Sequence, residues 1–195
     1  ISTSKGIGFN INHAPNKKQS LYLQYFHGNV NSDRLTNTNL GQYKGDTIIS
    51  TKTRLTGDFI THTHNFGAGA RLKPDSVTNI LINASYLIGL QDEDRFSDII
   101  GNNSKTGPLS DGDVNQYNDA KTYMYRHGVA ITRLSKKKKG RRFNINHNVD
   151  INNRYNDYMS ESDISYYYPI AYDSLYAQLR KERIPRTDIM NMFNY

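Results

Sequence analysis

Cysteine is missing from the chain altogether, which excludes disulfide staples and thiolate-held metals. No apolar run approaches the length of a membrane-crossing helix, and no signal peptide opens the sequence. Catalytic signatures are also lacking: there is no G-x-S-x-G, no H-E-x-x-H and no phosphate-binding Walker loop, so no enzyme activity is expected. Apolar residues are sparse at 36%, with a mean hydropathy of -0.75 that is too polar for a generous two-sided core. Regularly spaced Tyr, Ile and Phe nevertheless argue against a disordered chain. A sheet that is apolar on one face only reconciles the two.

The stretch Arg142 to Asn152 shows such a face directly. Phe143, Ile145, His147, Val149 and Ile151 fall on one parity, and Asn144, Asn146, Asn148, Asp150 and Asn152 on the other. Period two without a slip is the pattern of a strand with one apolar and one wet side. Asn and Asp are depleted in ordinary strands, so a continuous row of them suits a wall that faces enclosed water. The apolar side is long enough to cross a bilayer as a tilted strand. The pentapeptide F-N-I-N-H occurs here and again at Phe9 to His13.

Six further segments fit the same scheme. They are Gly6 to Asn12, Leu21 to about Asn29, a strand ending at Leu72 that starts as early as Thr47, Val77 to Leu90, Thr122 to Leu134, and a last strand that starts after Pro185 and reaches Tyr195. Short turns are expected near Asn16, at Lys73 to Ser76, and at Ser135 to Arg141. Long polar connections are expected at Val30 to Asp46, Gln91 to Lys121 and Asn153 to Pro185. Short turns on one rim and long loops on the other are the rhythm of an outer-membrane barrel. The expected fold is all-β: an antiparallel up-and-down meander of about seven strands, a partial segment of a large transmembrane β-barrel. Seven is odd and bacterial single-chain barrels have even strand numbers. Ile1 is not an initiator Met. The whole of 1–195 is therefore expected to be one piece of a barrel domain cut at both ends, with no separate plug or soluble domain.

The K-P-D-S turn at Lys73 to Ser76 and the tyrosine-rich third connection carry a resemblance, together with Gln178-Leu179-Arg180, Pro185-Arg186-Thr187 and the closing Phe193-Asn194-Tyr195. The chain resembles the barrel of TonB-dependent receptor-like proteins of Bacteroidetes, of the outer membrane β-barrel family. The resemblance implies a large barrel with a plug domain ahead of it, in the cell outer membrane. Coupling to TonB is implied only through the parent chain.

Residue roles follow from parity. Phe9, Ile11, Ile82, Ile88, Val129, Ile145 and Val149 are expected to face lipid, and Asn10, Gly67, Gly69, Asn83, Asn146 and Asn148 to line the lumen. Tyr166, Tyr167 and Tyr168 are candidates for extracellular-loop contacts, although an aromatic girdle or loop packing accounts for tyrosines as well. His62 and His64, two residues apart, leave a strand on the same side and are weak metal candidates, weighed against a plain interfacial position; no metal and no cofactor is expected. Asp111-Gly112-Asp113 lacks the spacing and closing Glu of a calcium loop. The net charge of +7 is concentrated in the run from Lys136 to Arg142. No aromatic residue alternates with these lysines to stack on bases, so nucleic acid is not an expected partner, whereas a bilayer surface is. The expected function is the structural wall of a receptor-like transporter taking up a nutrient or metal chelate, its partners the bilayer and the rest of its own barrel and plug. The alternative is a soluble all-β binding or adhesion module of the cell surface.

Overall fold

The structure is a computed structural model that describes residues 2–138 and 140–194. Ile1, Lys139 of the basic turn and Tyr195 of the closing motif lie outside the described residues. Seven strands follow one another: β1 (Ser2–Asn16), β2 (Gln19–Lys44), β3 (Thr47–Leu72), β4 (Thr78–Asn103), β5 (Gly107–Leu134), β6 (Arg142–Tyr166) and β7 (Tyr172–Asn194). They form one sheet in sequence order, and every neighbour pair is antiparallel. The sheet is an open meander, with β1 and β7 as its two edges.

One rim carries the turns at 17–18, 73–77 and 135–141, as the sequence leads one to expect. The Lys73 amide donates to the Lys18 carbonyl at 2.7 Å and the Leu134 amide to the Val77 carbonyl at 2.9 Å, stitching that rim together. Asp75 shapes its turn by accepting from the amides of Val77 at 2.9 Å and Thr78 at 2.7 Å. These bonds, Val77 first, hold the Asp75 carboxyl below its ordinary value.

The three long connections expected on the other rim do not exist as loops. Most of the residues of 30–46, 91–121 and 153–185 continue the strands, and the chain reverses in tight turns at 45–46, 104–106 and 167–171. Backbone pairing runs unbroken from Gln19↔Leu72 to Lys44↔Thr47, for example. The polar sequence hides this, because above a certain level both faces are wet and no apolar parity marks the strand. Gly45 takes a φ of 64° in its turn, a conformation that favours glycine. β3 has 26 residues. That is a contour of about 85 Å, against roughly 25 Å for the apolar band of an outer-membrane barrel. The strands therefore extend far beyond any one bilayer.

The sheet is a single layer. Among the described residues no side chain is fully buried. The few buried residues, Gly67, Ser97, Gly101, Ala120 and Gly128, all lie on the same face as Asn10. On β5, residues 111, 113, 115 and 117 are exposed while 112, 114, 116 and 118 are half-buried, and β6 alternates likewise. Curling a sheet crowds the side chains on its inner side, so the Asn10 face is the inside of the curve.

Candidate functional site: the two faces of the sheet

Cross-strand register sorts each expected residue onto one of the two faces. Phe9, Ile11, Ile82, Ile88, Val129, Ile145 and Val149 share one face, linked by pairs such as Phe9↔Tyr25↔Phe66 and Ile82↔Val129. Asn10, Gly67, Gly69, Asn83, Asn146 and Asn148 share the other, linked by Asn10↔Gln24↔Gly67 and Gly69↔Asn83↔Gly128↔Asn148. Both copies of the F-N-I-N-H pentapeptide present Phe, Ile and His on the Phe9 face.

Five consecutive rows of the Phe9 face form an apolar band. The lowest is Leu72–Ile80–Ile131–Ile145–Phe193, and the middle one is Ile11–Leu23–Ala68–Ala84–His127–Val149–Ile189. Above it runs the aromatic row Phe9–Tyr25–Phe66–Tyr86–Tyr125, whose Tyr25 and Phe66 rings lie 4.7 Å apart. The band is about nine residues tall on each strand, the length a transmembrane β-strand needs. Phe9 is 51% exposed and Ile11 56%, for nothing covers them. Among the described residues no helix is long and apolar enough to cross a membrane, which says nothing of crossing by strands.

All the chain's histidines also lie on this face. His62 and His64 do share a side, and His27 on β2 joins them. The His27 ring stacks on His64 at 4.5 Å and on His62 at 6.2 Å between centroids. Tyr25 Oη sits 2.9 Å from His64 Nδ1, and Asn29 Nδ2 3.0 Å from His62 Nδ1. Rings stacked in this way point their nitrogens along parallel planes instead of at one centre. No group of three or more His, Asp or Glu with metal-holding geometry occurs among the described residues.

The inner, Asn10 face is lined at band level mainly by glycine, amides and paired charges, interrupted by Tyr22, Phe26, Leu81, Leu87 and Met124. A Cβ on Gly128 would meet the amide oxygens of Asn148 at 2.7 Å and Asn83 at 2.8 Å. Arg126 donates to Asp150 at 2.6 Å and Arg186 to Asp188 at 2.7 Å. Higher up, a shallow concavity is lined by Glu93, Arg95, Gln116, Asn118, Asn156 and Tyr158. Further above the band the Phe9 face carries acidic rows, with Asp33↔Asp58↔Asp94 and Asp98↔Asp113↔Asp163 directly opposed across strands. Apart from Asp58, these aspartates fall within the long polar connections expected from the sequence. Their pairing becomes visible only once the strands are known to continue.

The tyrosines expected in a long loop sit elsewhere. Tyr166 ends β6 and stacks on Tyr172 of β7 with centroids 4.7 Å apart, while Tyr167 and Tyr168 occupy the tight turn. Tyr167 Oη donates to Asp111 Oδ1 at 2.5 Å, and this bond holds the phenol above its ordinary pKa. Asp111 and Asp113 belong to β5, so their stretch is no calcium loop.

No family model matches the chain, and no curated protein does. Among solved structures it is similar to the ferric yersiniabactin uptake receptor of Yersinia pestis, at 8% identity and a TM-score of 0.23, covering 98% of this chain and 34% of that one. It is also similar to the ferric-catecholate import receptor of E. coli K12, at 9% identity and a TM-score of 0.20, over 99% of this chain and 47% of that one. An outer membrane protein of Vibrio cholerae aligns at 8% identity and a TM-score of 0.16, over 96% of this chain and 89% of that one. The chain thus spans less than half the length of either receptor.

Proposed function

We propose that the chain is a section of the wall of an outer-membrane transport barrel, of the TonB-dependent receptor-like kind found in Bacteroidetes. The observation that carries this reading is the coreless sheet itself: one face bears an apolar band of bilayer height with nothing beneath it to bury against, and the other is mainly amides, glycines, hydroxyls and paired charges, with scattered apolar residues such as Phe26, Leu81 and Leu87 among them. A soluble module would pack that band on a second layer. In this reading the Phe9 face meets lipid and the Asn10 face lines a hydrated lumen. The two open edges continue into further strands of the same barrel, because unpaired backbone groups in hydrocarbon cost several kcal/mol each. The wall holds its lumen open and performs no chemistry. A nutrient or metal chelate would be captured by residues pooled from the whole barrel and its plug, with TonB engaged elsewhere in the parent.

Fractionation of cells expressing the full-length protein tests the assignment. Recovery in the outer-membrane fraction, with heat-modifiable migration on gels, is expected. Recovery as a soluble protein would instead favour the adhesion or binding module.

A further inference from the structure

One register row crosses all seven strands on the Phe9 face without a break: Lys5↔Asn29↔His62↔Leu90↔Lys121↔Tyr155↔Arg183. It is the first row above the apolar band, whose top row holds Ile7, His27, His64, Ile88 and Tyr123. The next row up brings Asp92, Asp119 and Asp157 together on β4, β5 and β6, with Lys181 of β7 opposite Asp157, and the one beyond it holds Asp58 and Asp94. On β5, within three steps of about 6.8 Å each, the surface passes from apolar to cationic to anionic, while on β7 Lys181 stands above Arg183.

We infer that the Lys5–Arg183 row seats the phosphates of lipid headgroups, in the leaflet nearer the turns at 45–46, 104–106 and 167–171. The inference rests on the membrane-wall reading. Lys5 and Lys121 supply compact ammonium charges, and Arg183 a planar fork suited to two phosphate oxygens. The Arg183 guanidinium lies over the Tyr155 ring at 5.8 Å, which presents it at this level. Lys121 and Arg183 are two strand spacings apart, roughly 10 Å, so each serves its own headgroup. Asp119, 2.8 Å from Lys121, holds that ammonium at the row and weakens its pull. The sign reversal fixes depth. Beside Lys121 a phosphate is attracted at the cationic row and repelled one step higher by Asp92, Asp119 and Asp157, so this part of the wall resists rising or sinking, while on β7 Lys181 extends the cationic seat of Arg183.

Spin-labelled lipids test this in vesicles holding the full-length protein. At low salt, labelled phosphatidic acid should be preferred over labelled phosphatidylcholine about threefold to fivefold in the motionally restricted shell. The triple variant Lys5→Gln, Lys121→Gln, Arg183→Gln should bring that ratio close to one while keeping a restricted phosphatidylcholine component, which shows that it is folded and inserted. Changing Arg34→Gln and Arg95→Gln on the Asn10 face should leave the ratio alone, and inorganic phosphate should not compete. A ratio of one in the unaltered protein, or one unchanged in the triple variant, overturns the inference while leaving the wall reading intact. Displacement by inorganic phosphate overturns the lipid assignment. Absence of any restricted component overturns both readings together.

Discussion

Val149 sits in the middle row of the band between His127 and Ile189, and Ile145 in its lowest row between Ile131 and Phe193. Depth therefore separates two substitutions that sequence treats alike. Val149→Arg is expected to cost about 2–4 kcal/mol, Ile145→Arg less as the interface is approached, and Asn148→Arg on the wet face near zero. Denaturant titration of the full-length protein in vesicles reads all three. Equal costs on both faces would remove the basis for calling one of them lipid-facing. A second residue-level effect concerns Asp113, flanked directly by Asp98 and Asp163. Partial loss of hydration, then the Asp98 carboxyl and the charges of Asp163 and Asp111, push the Asp113 carboxyl above its ordinary value. A raised carboxyl pKa means the folded form holds the proton more tightly. Stability is thus fuller below the ordinary Asp range and is lost as pH rises through the folded pKa. Asp113→Asn should raise the unfolding midpoint at pH 7, with the gain shrinking to nothing below about pH 4. No gain at pH 7 would show that the opposed carboxylates do not strain the strands.

At the scale of the element, the band-level strands were legible and their continuations were not. Phe143 to Ile151 announces itself because one parity is apolar and the other polar, and Ile80 to Ile88 because one parity is apolar without a break while Asn83 and Ser85 mark the other. Their register then follows, since a slip of one residue would reverse every side chain. Beyond the band the same strands read Asp-Val-Asn-Gln-Tyr-Asn-Asp from 113 to 119, with polar residues on both faces, and hydrophobic periodicity has nothing to detect. What continues there is the backbone ladder, which side-chain polarity does not report. Thr47 to Phe59 is the exception: its β-branched residues point to a strand, and β3 does begin at Thr47. The histidine pair was legible as same-faced, but its stacking against His27 depended on which residue of β2 lies opposite His64. Gly112 tests the continuation directly. A Cβ there would run into the Asp163 backbone carbonyl on β6. Gly112→Val should cost about 1–3 kcal/mol and speed amide exchange at 110–114 and 162–166. Unchanged exchange would mean that β5 and β6 are not paired at that height.

For the whole molecule, the open edges and the uncovered band set a joint constraint. In a bilayer the edge groups of β1 and β7 are unsatisfied. In water the Phe9 face exposes an apolar surface far beyond what monomeric proteins tolerate. The isolated 195 residues should therefore aggregate in buffer without detergent or partner strands. A monodisperse, cooperatively unfolding monomer on gel filtration and circular dichroism would argue for the soluble module. The central claim, that the Phe9 face meets lipid while the Asn10 face meets water, has a more direct test. This chain contains no cysteine, so single substitutions along β6, from Ile145→Cys to Asp163→Cys, can carry a nitroxide in a cysteine-free background of the full-length protein. In vesicles, oxygen accessibility should peak at 145, 149 and 151, and accessibility to a water-soluble nickel chelate at 146, 148 and 150. From about 155 onward the alternation should give way to water accessibility. An alternation of the opposite phase, or odd positions closed to both oxygen and chelate, would contradict the account.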